Sequence, residues 1–150
     1  MEIERKFLVK KLPTDIEQYN YHDIEQAYLC TEPVVRIRRQ DNDFFLTYKS
    51  SGLMSHEEYN LPLNEESYLH LLKKADGNII TKRRYLIPIS ENLTVELDIF
   101  EGVKKGLILA EVEFPTEEEA LSFTAPDWFG EDVTFLPEYH NSTMSKERTG

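Results

Sequence analysis

The sequence predicts a mainly β fold of the α+β class, in which eight antiparallel strands form a sheet that can close into a barrel. Strand signals dominate the 150 residues, and few of the connecting segments are long enough for crossover helices. Charged and apolar residues alternate along most strands, so each strand has one charged face and one apolar face. The eight strands are predicted over residues 2–9, 23–31, 34–40, 43–50, 56–61, 79–88, 93–100 and 107–115.

A few flanking helices complete the predicted fold. Asn64 can cap a helix over 65–75, and the two glutamates in its first turn suit the positive end of the helix dipole. A capping-box sequence opens a second helix over 116–123. Shorter helices are predicted near 14–19 and after Asn141.

Composition predicts a single domain over residues 1–150. The net charge of -11 and the pI near 4.8 argue against duplex DNA or an anionic membrane as the main partner. Cys30 is the single cysteine, which excludes an internal disulfide and favours a reducing compartment such as the cytoplasm. Neither a signal peptide nor a transmembrane helix is expected. We therefore expect a small-molecule partner, with the chain acting as a monomer or homodimer.

The charged faces of the strands carry seven acids and six bases. They are Glu2, Glu4, Glu58, Glu96, Asp98, Glu111, Glu113, Lys6, Arg36, Arg38, Lys49, Lys82 and Arg84. On any one strand, such a face is most simply the solvated side of a sandwich. Pairs of like charge on strand after strand instead favour an enclosed surface, because such pairs destabilise a sheet unless a ligand compensates them. A barrel of eight strands can hold one small ligand, here a polyanion with divalent metals beside it.

Several motifs match those of one known family, in the same order along the chain. The opening segment Glu2-Ile3-Glu4-Arg5-Lys6 fits the signature Glu-x-Glu-x-Lys. The further motifs are Arg36-Ile37-Arg38, Lys49, Lys82-Arg83-Arg84-Tyr85, Val95-Glu96-Leu97-Asp98, Ala110-Glu111-Val112-Glu113-Phe114 and Tyr139-His140-Asn141. Over nearly its whole length the chain therefore resembles the CYTH superfamily, the triphosphate tunnel metalloenzymes. His56 departs from this pattern, because relatives often carry another charged residue there.

The resemblance implies a closed eight-stranded antiparallel tunnel that hydrolyses or rearranges triphosphates with Mg²⁺ or Mn²⁺. It implies metal ligands at Glu2, Glu4 and Glu113, with Glu111 beside them. The implied phosphate-binding residues are Lys6, Arg36, Arg38, Lys49, Lys82 and Arg84. Glu58, Glu96 and Asp98 would orient these bases or hold a second metal. The catalytic residues would be Glu2, Glu4 and Lys6, with one of the two glutamates directing the attacking water.

Inorganic triphosphate is the expected substrate, because the chain is barely longer than the tunnel and leaves little structure for a nucleoside or thiamine pocket. The alternatives within the class are a nucleoside or thiamine triphosphatase and an adenylyl cyclase of the same fold. The alternative from another class is a non-catalytic module that binds polyphosphate or nucleotide. The complete set of acidic positions favours an enzyme. No Gly-x-x-x-x-Gly-Lys-[Ser/Thr] loop occurs, so a P-loop NTPase is not expected.

Overall fold

The computed structural model of the protein describes residues 2–51 and 54–146. Strands dominate these residues, as the alternating sequence pattern predicts. The strands are Glu2–Val9 (β1), Tyr21–Thr31 (β2), Val34–Gln40 (β3), Asp43–Lys49 (β4), Ser55–His56 (β5), Glu58–Leu63 (β6), Asp76–Pro88 (β7), Thr94–Glu101 (β8), Ile108–Glu113 (β9) and Phe129–Asp132 (β10).

The strands form one antiparallel sheet that curls into a nearly closed barrel. Neighbouring strands run in the order β1, β9, β8, β7, β2, β3, β4 and β6. The ring closes where Glu2 of β1 pairs with His56 of β5, which leads directly into β6. The predicted eight-stranded antiparallel barrel is thereby confirmed, with two differences. The strand predicted over 56–61 is interrupted at Glu57, and β10, which was not predicted, pairs with the second half of β1.

Three α-helices flank the barrel within the described residues. They are Glu65–Leu72 (α1), Glu117–Ser122 (α2) and Asn141–Lys146 (α3). Asn64 and Thr116 cap α1 and α2 as predicted, since each side chain accepts a hydrogen bond from the backbone N–H three residues further on. The helix predicted near 14–19 is a single 3₁₀ turn, Ile16–Gln18. Within the described ranges, no helix combines the length and apolar composition needed to cross a membrane.

Apolar side chains fill the outer faces of the barrel strands beneath the helices. One cluster includes Phe7, Leu97 and Val112 and lies on the side of α2 and β10. A second cluster joins Ile37 of β3 to Tyr68 of α1. Because successive side chains of a strand alternate between faces, the charged residues between these positions point into the barrel. The predicted polar interior and apolar exterior are therefore present.

One apolar cluster lies inside the barrel and closes one end of it. Ile80, Phe100 and Leu109 share inward strand faces with the charged residues two positions away, and Met144 of α3 packs against them. Gly77, near the start of β7, lets α3 approach this closely. It has a φ of 74°, and a Cβ at this position would lie 2.1 Å from the carbonyl oxygen of Ser145.

Candidate active site

The barrel encloses a polar cavity of about 250 Å³. Most of the side chains on the predicted charged faces line it. They are Glu2, Glu4, Lys6, Arg36, Arg38, Lys49, Glu58, Arg84, Glu96 and Glu111. Lys82 and Asp98 lie beneath this surface and are almost fully buried. Glu113 is the exception: it pairs in register with Glu4, but it is exposed and does not line the cavity.

Glu2, Glu4 and His56 form a cluster whose composition suits a metal ion, with one potential ligand atom from each within 4.8 Å of the others. Nε2 of His56 is hydrogen-bonded to Oε1 of Glu2, and Nζ of Lys49 lies 3.1 Å from the same oxygen. Burial favours the neutral form of Glu2, but His56 and Lys49 outweigh it and lower the Glu2 pKa to about 2. Nδ1 of the buried His56 has no hydrogen-bond partner among the described residues.

Glu4 shows the opposite tendency. Burial and the Glu111 and Glu2 carboxylates raise the pKa of Glu4 to about 7, although Lys49 and Lys6 oppose them. A carboxyl group with a pKa near neutrality can accept a proton at physiological pH. Glu2 and Glu4 therefore differ in protonation although they lie on one face of one strand.

A network of buried ion pairs lies deeper in the barrel. Asp98 lies 2.7 Å from Nζ of Lys82 and 2.7 Å from Nε of Arg84. Glu111 lies 3.1 Å from Nζ of Lys6 and 3.4 Å from Nη2 of Arg84. Burial opposes ionisation of both acids, but the cations lower the pKa values of Asp98 and Glu111 below their usual range. Nη1 of Arg84 also lies 3.0 Å from Glu96, so three carboxylates accompany the three cations without a ligand. Burial and the neighbouring Arg84 nonetheless lower the pKa of Lys82 to about 7, although Asp98 opposes them.

Strand β3 contributes two arginines with weaker compensation. Nη2 of Arg36 donates to Oγ1 of Thr47 at 3.3 Å and lies 3.7 Å from Glu58, while its Nε has no partner among residues 2–51 and 54–146. Nε and Nη2 of Arg38 both donate to Oε1 of Gln26, at 2.9 and 2.6 Å. Burial, Arg36 and Arg84 lower the pKa of Arg38 to about 9, so it remains a cation at neutral pH. The side of the cavity formed by β3 therefore carries excess positive charge.

The C-terminal segment contacts two of the predicted phosphate-binding lysines. Nζ of Lys6 donates to the carbonyl oxygen of Tyr139 at 3.1 Å, and Nζ of Lys82 donates to Oδ1 of Asn141 at 3.3 Å. His140, which lies between them in sequence, lines the cavity. The Tyr-x-Asn motif thus lies at the closed end of the barrel, next to the buried network.

The convergence of these motifs on one cavity agrees with a match to the CYTH domain model over residues 1–150. The chain belongs to the CYTH domain family. An inorganic triphosphatase of Nitrosomonas europaea is 35% identical over 147 residues, which span 96% of each protein. An inorganic triphosphatase of Acetivibrio thermocellus is 34% identical over 156 residues, spanning 97% of this chain and 93% of the relative.

Solved structures agree with the CYTH assignment. The crystal structure of the inorganic triphosphatase NE1496 superposes with a TM-score of 0.76 at 33% identity, covering 100% of this chain and 97% of that one. The putative adenylyl cyclase HpAC1 from Hippeastrum gives a TM-score of 0.59 at 17% identity, covering 81% and 83% of the two chains. The second likeness is evidence for the shared fold alone.

The sequence assigned no site role to His56, which lines this CYTH cavity, or to Gln26, which is fully buried against Arg38. Gln26 accepts hydrogen bonds from Arg38. The hint of this role in the sequence is an amide side chain between Ile24 and Tyr28 on one face of a predicted strand. His56 was identified as a departure from the family pattern, and the structure places it with Glu2 and Glu4. The site therefore has a carboxylate and imidazole group at one side and an arginine pair at the other, which suits a metal ion and a polyanion held together.

Proposed function

We propose that this CYTH protein hydrolyses inorganic triphosphate to pyrophosphate and phosphate with the help of Mg²⁺ or Mn²⁺. One observation carries the proposal: the cluster of Glu2, Glu4 and His56 and the two arginines of β3 line the same cavity of about 250 Å³. Phosphoryl transfer depends on positioning and charge neutralisation, and both parts are present. The inorganic triphosphatases of two bacteria, each at least 34% identical, support the same reaction.

The donor set fits a divalent cation. Glu2 and Glu4 supply the carboxylate oxygens that Mg²⁺ and Mn²⁺ prefer, and a ring nitrogen of His56 lies within 4.8 Å of an oxygen of each. These three residues would hold the ion, and Glu113 would join them from the rim. When bound, the ion supplies positive charge to phosphate oxygens and lowers the pKa of the attacking water.

The chain's own residues bind the substrate and move the proton. Arg36 and Arg38 bind phosphate oxygens through forked N–H groups, and Lys49 adds a point charge from the neighbouring strand. Arg84 and Lys6 lie deeper and orient the far phosphate while they remain paired with Glu111. A carboxylate of the cluster, that of Glu2 or Glu4, accepts the proton of the attacking water.

The size of the cavity favours inorganic triphosphate over nucleotides. A volume of about 250 Å³ lies below the roughly 300–1,000 Å³ typical of pockets for drug-sized ligands. The apolar cluster around Phe100 and Met144 closes one end of the barrel, which leaves a nucleoside only the open end. We expect ATP to be a poorer substrate for this reason, and pyrophosphate to be too short to reach both the arginines and the metal ligands.

The test is phosphate release from inorganic triphosphate, pyrophosphate, ATP and thiamine triphosphate, each with Mg²⁺ and with Mn²⁺. Inorganic triphosphate should have the highest kcat/KM, and excess chelator should abolish turnover. Glu4→Ala should reduce kcat/KM at least ~100-fold, which is about 2.7 kcal/mol in the barrier. Glu118→Ala, on the exposed face of α2, is the matched control and should leave it unchanged.

Other outcomes of this experiment would replace the proposal. Conversion of ATP to cyclic AMP would indicate a cyclase of the same fold. A preference for thiamine triphosphate or ATP would indicate a different triphosphatase. Tight triphosphate binding without phosphate release under either metal would indicate a binding module.

We also propose that residues 1–150 act as one domain in the cytoplasm, as a monomer or homodimer. The lone Cys30 supports a reducing compartment, and the acidic net charge of -11 supports a small-molecule substrate rather than nucleic acid. Sedimentation analysis of the purified protein measures the oligomeric state directly.

A further inference from the structure

The six bases of the barrel interior differ in their partners. Lys6, Lys82 and Arg84 lie within 3.4 Å of buried carboxylates. Lys49 lies 3.1 Å from a carboxylate oxygen, and Arg36 lies 3.7 Å from one. Among these six bases, each placed in the described part of the chain, Arg38 alone has no carboxylate within ion-pair distance.

A neutral amide takes the place of that carboxylate. Oε1 of Gln26 accepts hydrogen bonds from both Nε and Nη2 of Arg38, so one edge of the guanidinium is fixed. Gln26 is fully buried, and its Nε2 lies 3.5 Å from the hydroxyl of Tyr28, which leaves the amide oxygen facing Arg38. Arg38 itself lines the cavity, and its Nη1 carries two further N–H donors that the contact with Gln26 does not use.

We propose that Gln26 is the residue that sets polyanion affinity in this cavity, because it orients Arg38 without neutralising it. A carboxylate at this position would make the same two hydrogen bonds and would also cancel the charge that attracts phosphate. Gln26 is therefore a positioning residue whose neutrality matters as much as its shape. The inference rests on the proposed function only in taking a phosphate chain as the ligand.

The decisive variant is Gln26→Glu, which keeps the size and the acceptor atoms and adds one negative charge. The measurement is calorimetric binding of inorganic triphosphate in excess chelator, where no metal-dependent hydrolysis occurs. We expect the dissociation constant to rise at least 10-fold while the melting temperature stays equal or rises, because the variant gains an ion pair with Arg38. The matched control is Gln18→Glu, an exposed position with the same change of charge, which should bind like the wild type.

A second variant, Gln26→Met, separates charge from packing. Methionine releases Arg38 but leaves its charge intact, so binding should weaken about 3- to 10-fold, less than in Gln26→Glu, with a larger effect on KM than on kcat. A purely structural role for Gln26 predicts the reverse order, since glutamate preserves the hydrogen bonds and methionine does not. Gln26→Glu binding within twofold of the wild type would overturn the proposal.

The remaining outcomes are also decisive. If Gln26→Glu does not fold, unchanged triphosphate binding by Gln26→Met would overturn the positioning role on its own. If the wild type binds triphosphate but releases no phosphate with any metal, the proposed hydrolysis fails, while the affinity ranking of the variants still tests the role of Gln26.

Discussion

The two walls of the cavity hold their charges in different ways. On the wall made by β1, β7, β8 and β9, the buried cations Lys6, Lys82 and Arg84 share the carboxylates of Asp98 and Glu111 at 2.7–3.4 Å. On the wall made by β2, β3 and β4, the partners of the two arginines are chiefly a hydroxyl and an amide. Burying a charge without a counter-charge is costly. The charges of the first wall have their counter-charges within the protein, whereas the second wall leaves positive charge that an anionic ligand could compensate.

The largest expected effect comes from breaking the compensated wall. Asp98→Asn leaves Lys82 and Arg84 buried without their shared counter-charge, so the free energy of unfolding should fall by about 3–5 kcal/mol. Urea denaturation of the metal-free protein measures it. Asp23→Asn is the matched control, because its 2.9 Å pair with Arg83 is exposed and should contribute less than about 1 kcal/mol. Equal losses in the two variants would contradict the proposed contrast.

The uncompensated wall should respond in activity rather than in stability. Arg38→Ala removes a charge from the cavity lining. The loss of transition-state stabilisation, calculated from the fall in kcat/KM for triphosphate, should be about 2–4 kcal/mol. The free energy of unfolding should change by only about 1 kcal/mol, because the hydrogen-bond partner that Arg38 loses is a neutral amide. Arg38→Lys should recover only part of the activity because the fork is lost. Arg39→Ala, on the adjacent exposed position, is the control, and a folding defect in Arg38→Ala without a kinetic one would reverse the assignment of the walls.

The smallest principal effect is one on stability and concerns Glu4, which lies on β1 in the first wall. Its pKa is raised from 4.5 to about 7 in the folded protein, so the unfolded chain releases this proton at lower pH than the folded chain does. Without metal, the Glu4 contribution to stability should therefore fall as the pH rises from about 4.5 to 7. Because Glu4 is only partly buried, solvent screening reduces the effect, and we expect about 1–2 kcal/mol.

Glu4→Gln should remove this slope, which is measured as the difference between the pH–stability curves of the variant and the wild type. Mg²⁺ or Mn²⁺ should restore stability to the wild type above pH 7, where Glu4 is ionised, and should restore less to the variant. A wild-type curve that rises between pH 4.5 and 7 by as much as that of the variant would contradict the raised pKa.

The sequence predicts which side chains point into the barrel, but it does not predict how far along the barrel axis each of them lies. Alternation of charge in β8 and β9 places Glu96, Glu111 and Glu113 on inward faces, because the side-chain period of a strand is two residues. Whether such a residue reaches the cavity or the rim depends on the stagger between strands, which only the closed barrel fixes. The family resemblance implies that Glu113 is a metal ligand beside Glu4, and the structure places it exposed and outside the cavity lining.

The sequence also could not show which side chains meet across neighbouring strands. The two arginines of β3 looked equivalent to those of other strands, and only the register of β2 against β3 brings Gln26 opposite Arg38. The four residues of β10 were too few to show alternation, so that strand was missed. His56 gained a place in the cavity because β5 pairs with Glu2, a long-range contact that no local pattern encodes.

The close approach of β7 and α3 at Gly77 ties the position of this helix to the closed end of the barrel. A side chain at this position would collide with the carbonyl oxygen of Ser145 and would force α3 away from β7. Because α3 begins at Asn141, which borders the cavity and accepts a hydrogen bond from Lys82, that displacement would also disturb the buried charges at the closed end of the barrel. The missing side chain at Gly77 therefore helps to fix how far the closed end of the barrel extends, although Gly77 itself does not line the cavity.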